Sequence, residues 1–282
     1  MKRILITGKD SYIGMSVEKW LMRPEYAGMY QVDTADMRDD KWRGINFSGY
    51  DAVFHVAGIV HQREKRKNIK QYYEINVKLA SETAKRAKSE GVKQFILLSS
   101  MNVYGMREGV IDSNTLPEPG SHYGKSKLAA DRTIMKMADR SFCVSILRPP
   151  MVYGKGCKGN YQLLRKAALM SPFFPYIKNR RSMIHIDNLA EYVRRMIGNE
   201  VSGIFLPQNM EYVETGEMVR QIAQLNGKSI KFIQVLNPLI LLLCRYSDTV
   251  NKVFGSLIYR REENEWKPPV CFSDSMKRTE AG

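Results

Sequence analysis

Thr7-Gly8-Lys9-Asp10-Ser11-Tyr12-Ile13-Gly14 decides how the chain folds, because it joins an apolar run to a helical pattern. Upstream, Arg3 to Thr7 reads as a short apolar strand, and downstream Tyr12 to Met22 reads as a helix. Glycine at such a junction lets a pyrophosphate approach the backbone, where helix N-terminal amides and the helix dipole receive its charge. A tight structural turn would use the same residues. The second strand is read as Tyr30 to Asp33, so Asp33 ends it 19 residues past Gly14 (33 − 14). A carboxylate at that place suits the ribose hydroxyls of an adenosine.

Working outward, strands at Ala52–Val56, Gln94–Ser99 and Cys143–Arg148 alternate with helices at about Asn68–Glu90 and His122–Ala138. Near-continuous apolar strands separated by helices specify an α/β fold with a doubly wound parallel sheet covered on both faces. Beyond Pro149 the pattern loosens into helices near Tyr161–Leu169, Asp187–Ile197 and Thr215–Gln224, with a strand at Ile204–Leu206. Leu236 to Cys244, with Val250, Val253 and Phe254, suits either a membrane-surface helix or the core of a small C-terminal lobe. Its weakly basic polar face favours the core.

The 282 residues are 44% hydrophobic and carry 44 Lys+Arg against 29 Asp+Glu, a net charge of +15. That composition excludes a disordered or disulfide-scaffold chain. Cys143, Cys157, Cys244 and Cys271 are scattered, so no zinc site is expected, and reduced thiols suit a cytoplasmic protein. The basic clusters Arg63–Lys70, Lys85–Lys93, Arg180-Arg181 and Arg260-Arg261 are mostly interleaved with apolar residues, as on solvated helix faces. No nucleic-acid partner is expected, since no basic tail or finger accompanies them. The apolar run before Thr7-Gly8 is too short for a signal sequence, and Leu239 to Cys244 is too short to cross a bilayer.

Two further constellations carry chemistry. Tyr123-Gly124-Lys125-Ser126-Lys127 lies in a predicted helix, where a spacing of four puts phenol and ammonium on one face. An ammonium there, helped by an oxidised nicotinamide, should lower the phenol pKa and let Tyr123 act as general base and acid. A tyrosine and a lysine also fall four apart by chance. Ser99 to Gly105 follows an apolar strand at its carboxyl end, where ligands of doubly wound sheets bind. Ser100 would hydrogen-bond the oxygen that Tyr123 deprotonates, unless the stretch is a serine-rich turn.

With these three in order the chain resembles the extended short-chain dehydrogenase/reductase superfamily, in its NAD-dependent epimerase/dehydratase branch acting on nucleotide sugars. His55-Val56-Ala57-Gly58, Asn76, Leu147-Arg148-Pro149-Pro150, Arg181 to Asp187 and Trp266 to Pro269 support the resemblance over essentially the whole length. It implies a Rossmann domain at 1–154, with 182–206 returning to it, and a mainly substrate-binding lobe at 155–282. Gly8, Ser11, Tyr12, Ile13 and Gly14 would cradle the cofactor pyrophosphate, with Asp33 or Asp36 at the adenosine end. Ala57 and Gly58 would line the nicotinamide, Lys127 would hold its ribose, and Ser100, Tyr123 and Lys127 would be catalytic. Ser100, Asn102, Asn160 and Arg181 would meet the substrate, the last two at its diphosphate. His185 is expected to be structural, while His61 and His122 take no role.

Met101-Asn102 stands where sugar 4,6-dehydratases of that branch carry an acidic pair, so dehydration is not expected. The resemblance implies a 4-epimerase of a UDP-hexose working through a 4-keto intermediate, serving surface polysaccharide assembly, as a homodimer joined through the two long helices. The absence of an arginine immediately after Asp33 favours NAD, with NADP still open. A 4-ketosugar reductase and a non-catalytic dinucleotide sensor are the alternatives.

Overall fold

The computed structural model describes residues 1–59, 66–261 and 266–281. His61 and the Arg63–Lys65 part of the first basic cluster lie outside the described residues. In chain order the elements begin β1 (Lys2–Thr7), α1 (Tyr12–Leu21), β2 (Tyr30–Ala35) and β3 (Ala52–His55). Next come α2 (Arg66–Tyr72), a π-helical stretch (Tyr73–Leu79), α3 (Ala80–Ser89) and β4 (Gln94–Leu98). β5 (Gly109–Ile111), α4 (His122–Met135), β6 (Cys143–Leu147), β7 (Met151–Tyr153), α5 (Asn160–Met170) and β8 (Phe173–Pro175) follow. The chain continues through β9 (Met183–His185), α6 (Ile186–Asn199), β10 (Gly203–Phe205), α7 (Thr215–Leu225) and β11 (Lys231–Ile233). It ends with α8 (Asn237–Tyr246), α9 (Asp248–Phe254), β12 (Leu257–Tyr259) and α10 (Phe272–Glu280).

Two compact units emerge. The first comprises Met1–Gly105, Pro117–Pro149 and Leu189–Pro207. Its six strands run parallel in the order β10-β6-β4-β3-β1-β2. Alternate side chains enter opposite cores: Leu5, Val53, Phe95 and Val144 join one, while Ile4, Ile6, Phe54 and Ile96 join the other. Period-two alternation with both faces apolar is what a doubly covered parallel sheet demands. Phe54 and Phe95 are fully buried, each worth about 2 kcal/mol in surface removed from water. Strand order reverses between β1 and β3, and ligands of open α/β sheets bind at that switch point.

The second unit comprises Met106–Leu116, Pro150–Asn188 and Gln208–Gly282, and holds three two-stranded parallel sheets. The expected boundaries need correction here. Met106–Leu116 belongs to the second unit because β5 pairs with β12, and Pro150–Gly154 does so because β7 pairs with β9. The returning segment accordingly starts at Leu189 rather than at residue 182. A second correction concerns Leu236–Cys244: in α8 only Cys244 is buried, and Leu239, Leu241, Leu242 and Leu243 are exposed, so this stretch is not core. Among the described residues no helix is long and apolar enough to cross a membrane.

Candidate active site

The turn after β1 is built for close backbone approach. Gly8 has φ +111°, and a Cβ there would come within 2.9 Å of the Ala57 amide nitrogen and the Val56 side chain. The Gly8 and Lys9 N–H groups donate to the Ala35 carbonyl at 2.9 and 3.0 Å, locking the turn against the end of β2. Asp10 adopts φ +66°, an uncommon conformation for a residue with a side chain. Ser11, standing where a glycine is usual, caps α1: its hydroxyl oxygen accepts from the Gly14 N–H at 3.0 Å. The first turn of α1 carries no acidic residue to compete for an anion. A strand-to-helix turn at the switch point, a helix N-terminus clear of carboxylates and a carboxylate beyond β2 fit a dinucleotide.

Asp36 is the first carboxylate past β2, while Asp33 lies within the strand. β2 continues to Ala35, and Asp33 is level with Leu5, two residues short of the Thr7–Ala35 pair that ends the ladder. Its carboxylate accepts from the Tyr50 hydroxyl at 2.8 Å and from Arg3 Nη2 at 3.4 Å. Asp36 lies just past the strand, where Arg38 Nε donates to it at 2.9 Å and Arg38 Nη2 reaches Asp10 at 3.0 Å. Those bonds hold the Asp36 carboxyl down at about 2. An arginine therefore does stand close behind the true end of the second strand, already engaged by two aspartates.

Across the switch point, α4 is capped by Ser121, whose hydroxyl oxygen accepts from the Gly124 N–H at 3.1 Å. Tyr123, Ser126, Lys127, Ala130, Asp131 and Ile134 line its buried face. Ser100 caps the short turn after β4, its oxygen accepting from Asn102 N at 3.2 Å and Asn102 Nδ2 at 3.0 Å. The same Ser100 hydroxyl hydrogen-bonds the Tyr123 phenol. Lys127 Nζ donates to the Leu98 carbonyl at 2.9 Å. A Cβ on Gly58 would lie 3.2 Å from Lys127 Nζ and 3.0 Å from Asn76 Oδ1, so glycine is what allows this approach.

Ser100, Tyr123, Lys127 and Gly58 are thus brought together, along with Asn76, to which the sequence reading gave no role in the site. Buried in the π-helical stretch, Asn76 accepts from Ile59 N at 2.9 Å and donates to Ser126 Oγ at 3.0 Å. π-helical turns often mark functional sites. The available signal was a lone asparagine within an otherwise regular helical pattern.

The electrostatics differ from the simple expectation. Burial pushes the Tyr123 phenol up to about 12, partly opposed by the Ser100 hydrogen bond, and the Lys127 ammonium does not figure among the causes. Burial draws Lys127 down to about 8 while Asp131 pulls the other way. Desolvation therefore outweighs the attraction that spacing alone suggested. Asp131 is itself buried against Arg148 at 2.9 Å, and Arg148 Nη1 donates to the Tyr104 hydroxyl at 3.0 Å. His55 pairs with the Thr7 hydroxyl at 2.7 Å and is driven down to about 3 by burial and by the Lys127 charge, so it stays neutral.

The remaining expected residues belong to the second unit. Asn160 opens α5 and is exposed. Arg181 bridges Val213 and Leu257, and its Nη1 donates to the carbonyls of Gly255 at 3.0 Å and Asn251 at 3.4 Å. Among the described residues no carboxylate lies within ion-pair distance of it, and burial lowers its proton affinity. A largely buried guanidinium held only by carbonyls keeps donors for an anion. His185 is buried against Tyr153 and pushed down to about 4 by burial, a neutral packing group. Among the described residues no metal-binding cluster occurs.

The chain is 29% identical to a UDP-glucose 4-epimerase of Vibrio cholerae, over 99% of this chain and 94% of that protein. It is 26% identical to the N-acetyl-α-D-glucosaminyl-diphospho-ditrans,octacis-undecaprenol 4-epimerase of Escherichia coli O157:H7, over 78% and 68% of the two chains. The fold matches that of a UDP-glucuronic acid 4-epimerase from Bacillus cereus solved with NAD, at a TM-score of 0.75 and 19% identity, covering 99% of this chain and 96% of that one. Residues 4–205 match the family model itself, which makes the chain a member of the NAD dependent epimerase/dehydratase family.

Proposed function

We propose that the protein is an NAD-dependent epimerase that oxidises and re-reduces carbon 4 of a nucleotide-linked hexose, with a UDP-hexose as the first candidate. The observation that carries this reading is the shared locus of Ser100, Tyr123 and Lys127 beside Gly58, at the switch point of the sheet. Gly8, Ser11, Tyr12, Ile13 and Gly14 hold the pyrophosphate, Asp36 takes the adenosine ribose, and Ala57 and Gly58 face the nicotinamide. NAD held there would supply reversible hydride acceptance at carbon 4, and its positive ring would provide the phenolate stabilisation that Lys127 alone does not.

Tyr123 takes the proton of the 4-hydroxyl as carbon 4 becomes a ketone, and gives it back after the sugar presents its other face. Ser100 donates to the same oxygen, and Asn102 orients Ser100. Lys127, charged below pH 8, holds the nicotinamide ribose. Asp36 carries a full negative charge that repels a 2′-phosphate, which supports NAD over NADP. Asn160 and Arg181 bind the diphosphate of the substrate, for which a partly buried guanidinium is suited. A diphosphate would serve equally in a UDP-sugar or in a polyprenyl-linked sugar like that named for the Escherichia coli relative. α3 and α4 are the faces through which a homodimer would form, and a role in surface polysaccharide assembly follows from such substrates.

Incubation with a panel of UDP- and GDP-hexoses, with and without added NAD(H) or NADP(H), tests this. Interconversion of 4-epimers without consumption of reduced cofactor is the expected result. Stoichiometric NADPH consumption would replace it with a reductase.

A further inference from the structure

We propose that α8 and its flanks form a docking face for an anionic lipid bilayer. Val235 is 88% exposed, Leu239 55%, Leu242 50% and Tyr246 81%, and Leu243 joins them. Leu239, Leu242, Leu243 and Tyr246 fall at i, i+3, i+4 and i+7, which places them on one stripe of the helix. Cys244, the buried residue of α8, lies on the opposite side and anchors the helix to its unit. A contiguous exposed apolar surface of this kind marks an interaction site.

Charge selects the occupant. From Gly227 to Val253 the chain carries Lys228, Lys231, Arg245 and Lys252 against Asp248, and Arg107 and Glu108 pack against the same segment, on the Arg245 carbonyl at 3.2 Å and the Asn251 amide at 2.6 Å. Asp248 is taken up by Arg107 Nη2 at 2.7 Å. Arg245 sits at the edge of the apolar stripe, where its stem can lie along the hydrocarbon boundary and its head can reach a phosphate. Ten residues make a helix about 15 Å long, half a bilayer's hydrocarbon thickness, so α8 lies in the interface plane rather than across it. Two-fold self-association through the same stripe would set its cationic flanks against their own copies, an unfavourable contact. An apolar helix face whose flanking segments carry more cations than acids complements a negatively charged lipid surface.

This docking does not depend on the catalytic reading, and flotation of the full-length protein tests it. The probes are phosphatidylcholine vesicles and phosphatidylcholine vesicles holding about 30% phosphatidylglycerol. The parent should partition about tenfold more strongly to the anionic vesicles, and lose that preference in high salt. A Leu239→Gln/Leu242→Gln/Tyr246→Gln variant should lose about tenfold in partitioning, and an Arg245→Glu/Lys252→Glu variant should fall to the neutral-vesicle level. Turnover of free UDP-hexose should be the same in parent and variants. A parent that stays with the aqueous fraction in both vesicle types, or an apolar variant that floats as well as the parent, would overturn the proposal. So would an apolar variant whose mass by light scattering halves, since the face would then belong to a second copy.

Discussion

The first unit hides the apolar side chains of its central strands on both faces of one sheet, whereas the second leaves Leu239, Leu242 and Tyr246 half exposed or more on a helix. Their buried cations differ in the same way. Arg148 in the first unit is matched by Asp131 at 2.9 Å, while Arg181 in the second meets only carbonyls among the described residues. The first unit buries its core on both faces of one sheet and holds Ser100, Tyr123 and Lys127, the proposed proton-transfer groups, in fixed positions. The second keeps a guanidinium without a carboxylate among the described residues and an apolar stripe, which suit contacts with something outside the chain.

The largest effect that would test this contrast is in the first unit. Tyr123→Phe should lower kcat about 10³-fold with an unchanged melting temperature, because one proton-transfer group is lost while the ring still packs on Tyr72. Lys127→Met should cost about 10²-fold in kcat. Its effect on stability has a definite sign. The folded Lys127 titrates near 8 against an ordinary 10.5, so its charge opposes folding below pH 8 and that penalty fades as pH rises toward 10.5. The variant should therefore melt at or above the parent at pH 7, with the gap closing at pH 10. A large loss of stability at pH 7 would mean that the ammonium is structural.

Arg181→Ala should raise KM about 30-fold and leave kcat nearly intact, since the group would hold the substrate diphosphate and not the reacting carbon. Stability should hold, because the lost bonds are to two carbonyls and no carboxylate among the described residues is left unpaired. A drop in melting temperature without a change in KM would make the second unit as self-contained as the first. Asp36→Asn should narrow the preference for NAD over NADP about tenfold by removing the repulsion and freeing Arg38, measured as the ratio of cofactor dissociation constants.

The smallest effect is on acid stability. His55 in the first unit and His185 in the second are buried neutral, at about 3 and about 4 against an ordinary 6.5. The unfolded chain takes up those protons first, so this stabilisation is complete above pH 6.5 and is lost as pH falls toward 3. Melting temperature should fall by a few degrees, about 5 °C, between pH 7 and pH 5, and His185→Asn should flatten the slope. An unchanged slope would place the acid sensitivity elsewhere.

How much of this was legible depended on how local the determinants are. β1, β3, β4 and β6 are short apolar runs bounded by breakers, and the Tyr123–Lys127 spacing lies within one helix, so periodicity alone exposed them. The end of β2 was misjudged at Asp33 because it is set by pairing with Thr7 rather than by composition. β5 and β12 are three-residue strands 148 positions apart (257 − 109), a pairing without local signature. Asn76 belongs to a recognisable motif, yet its place beside Ser126 depends on the π-helical stretch. The sign of the Tyr123 shift could not be read from spacing, since it follows from burial. Exposure of α8 was equally hidden, because an apolar helix reads the same whether it faces a core or solvent.

The most direct measurement follows the hydrogen on carbon 4. The NAD-loaded protein would be given UDP-glucose and UDP-N-acetylglucosamine deuterated at that carbon, and the products resolved by NMR and mass spectrometry. Internal oxidation and re-reduction predict the 4-epimer of one of these sugars with the deuterium still on carbon 4. Loss of the label to water during conversion, or no conversion of either sugar, would contradict a Tyr123-centred epimerase.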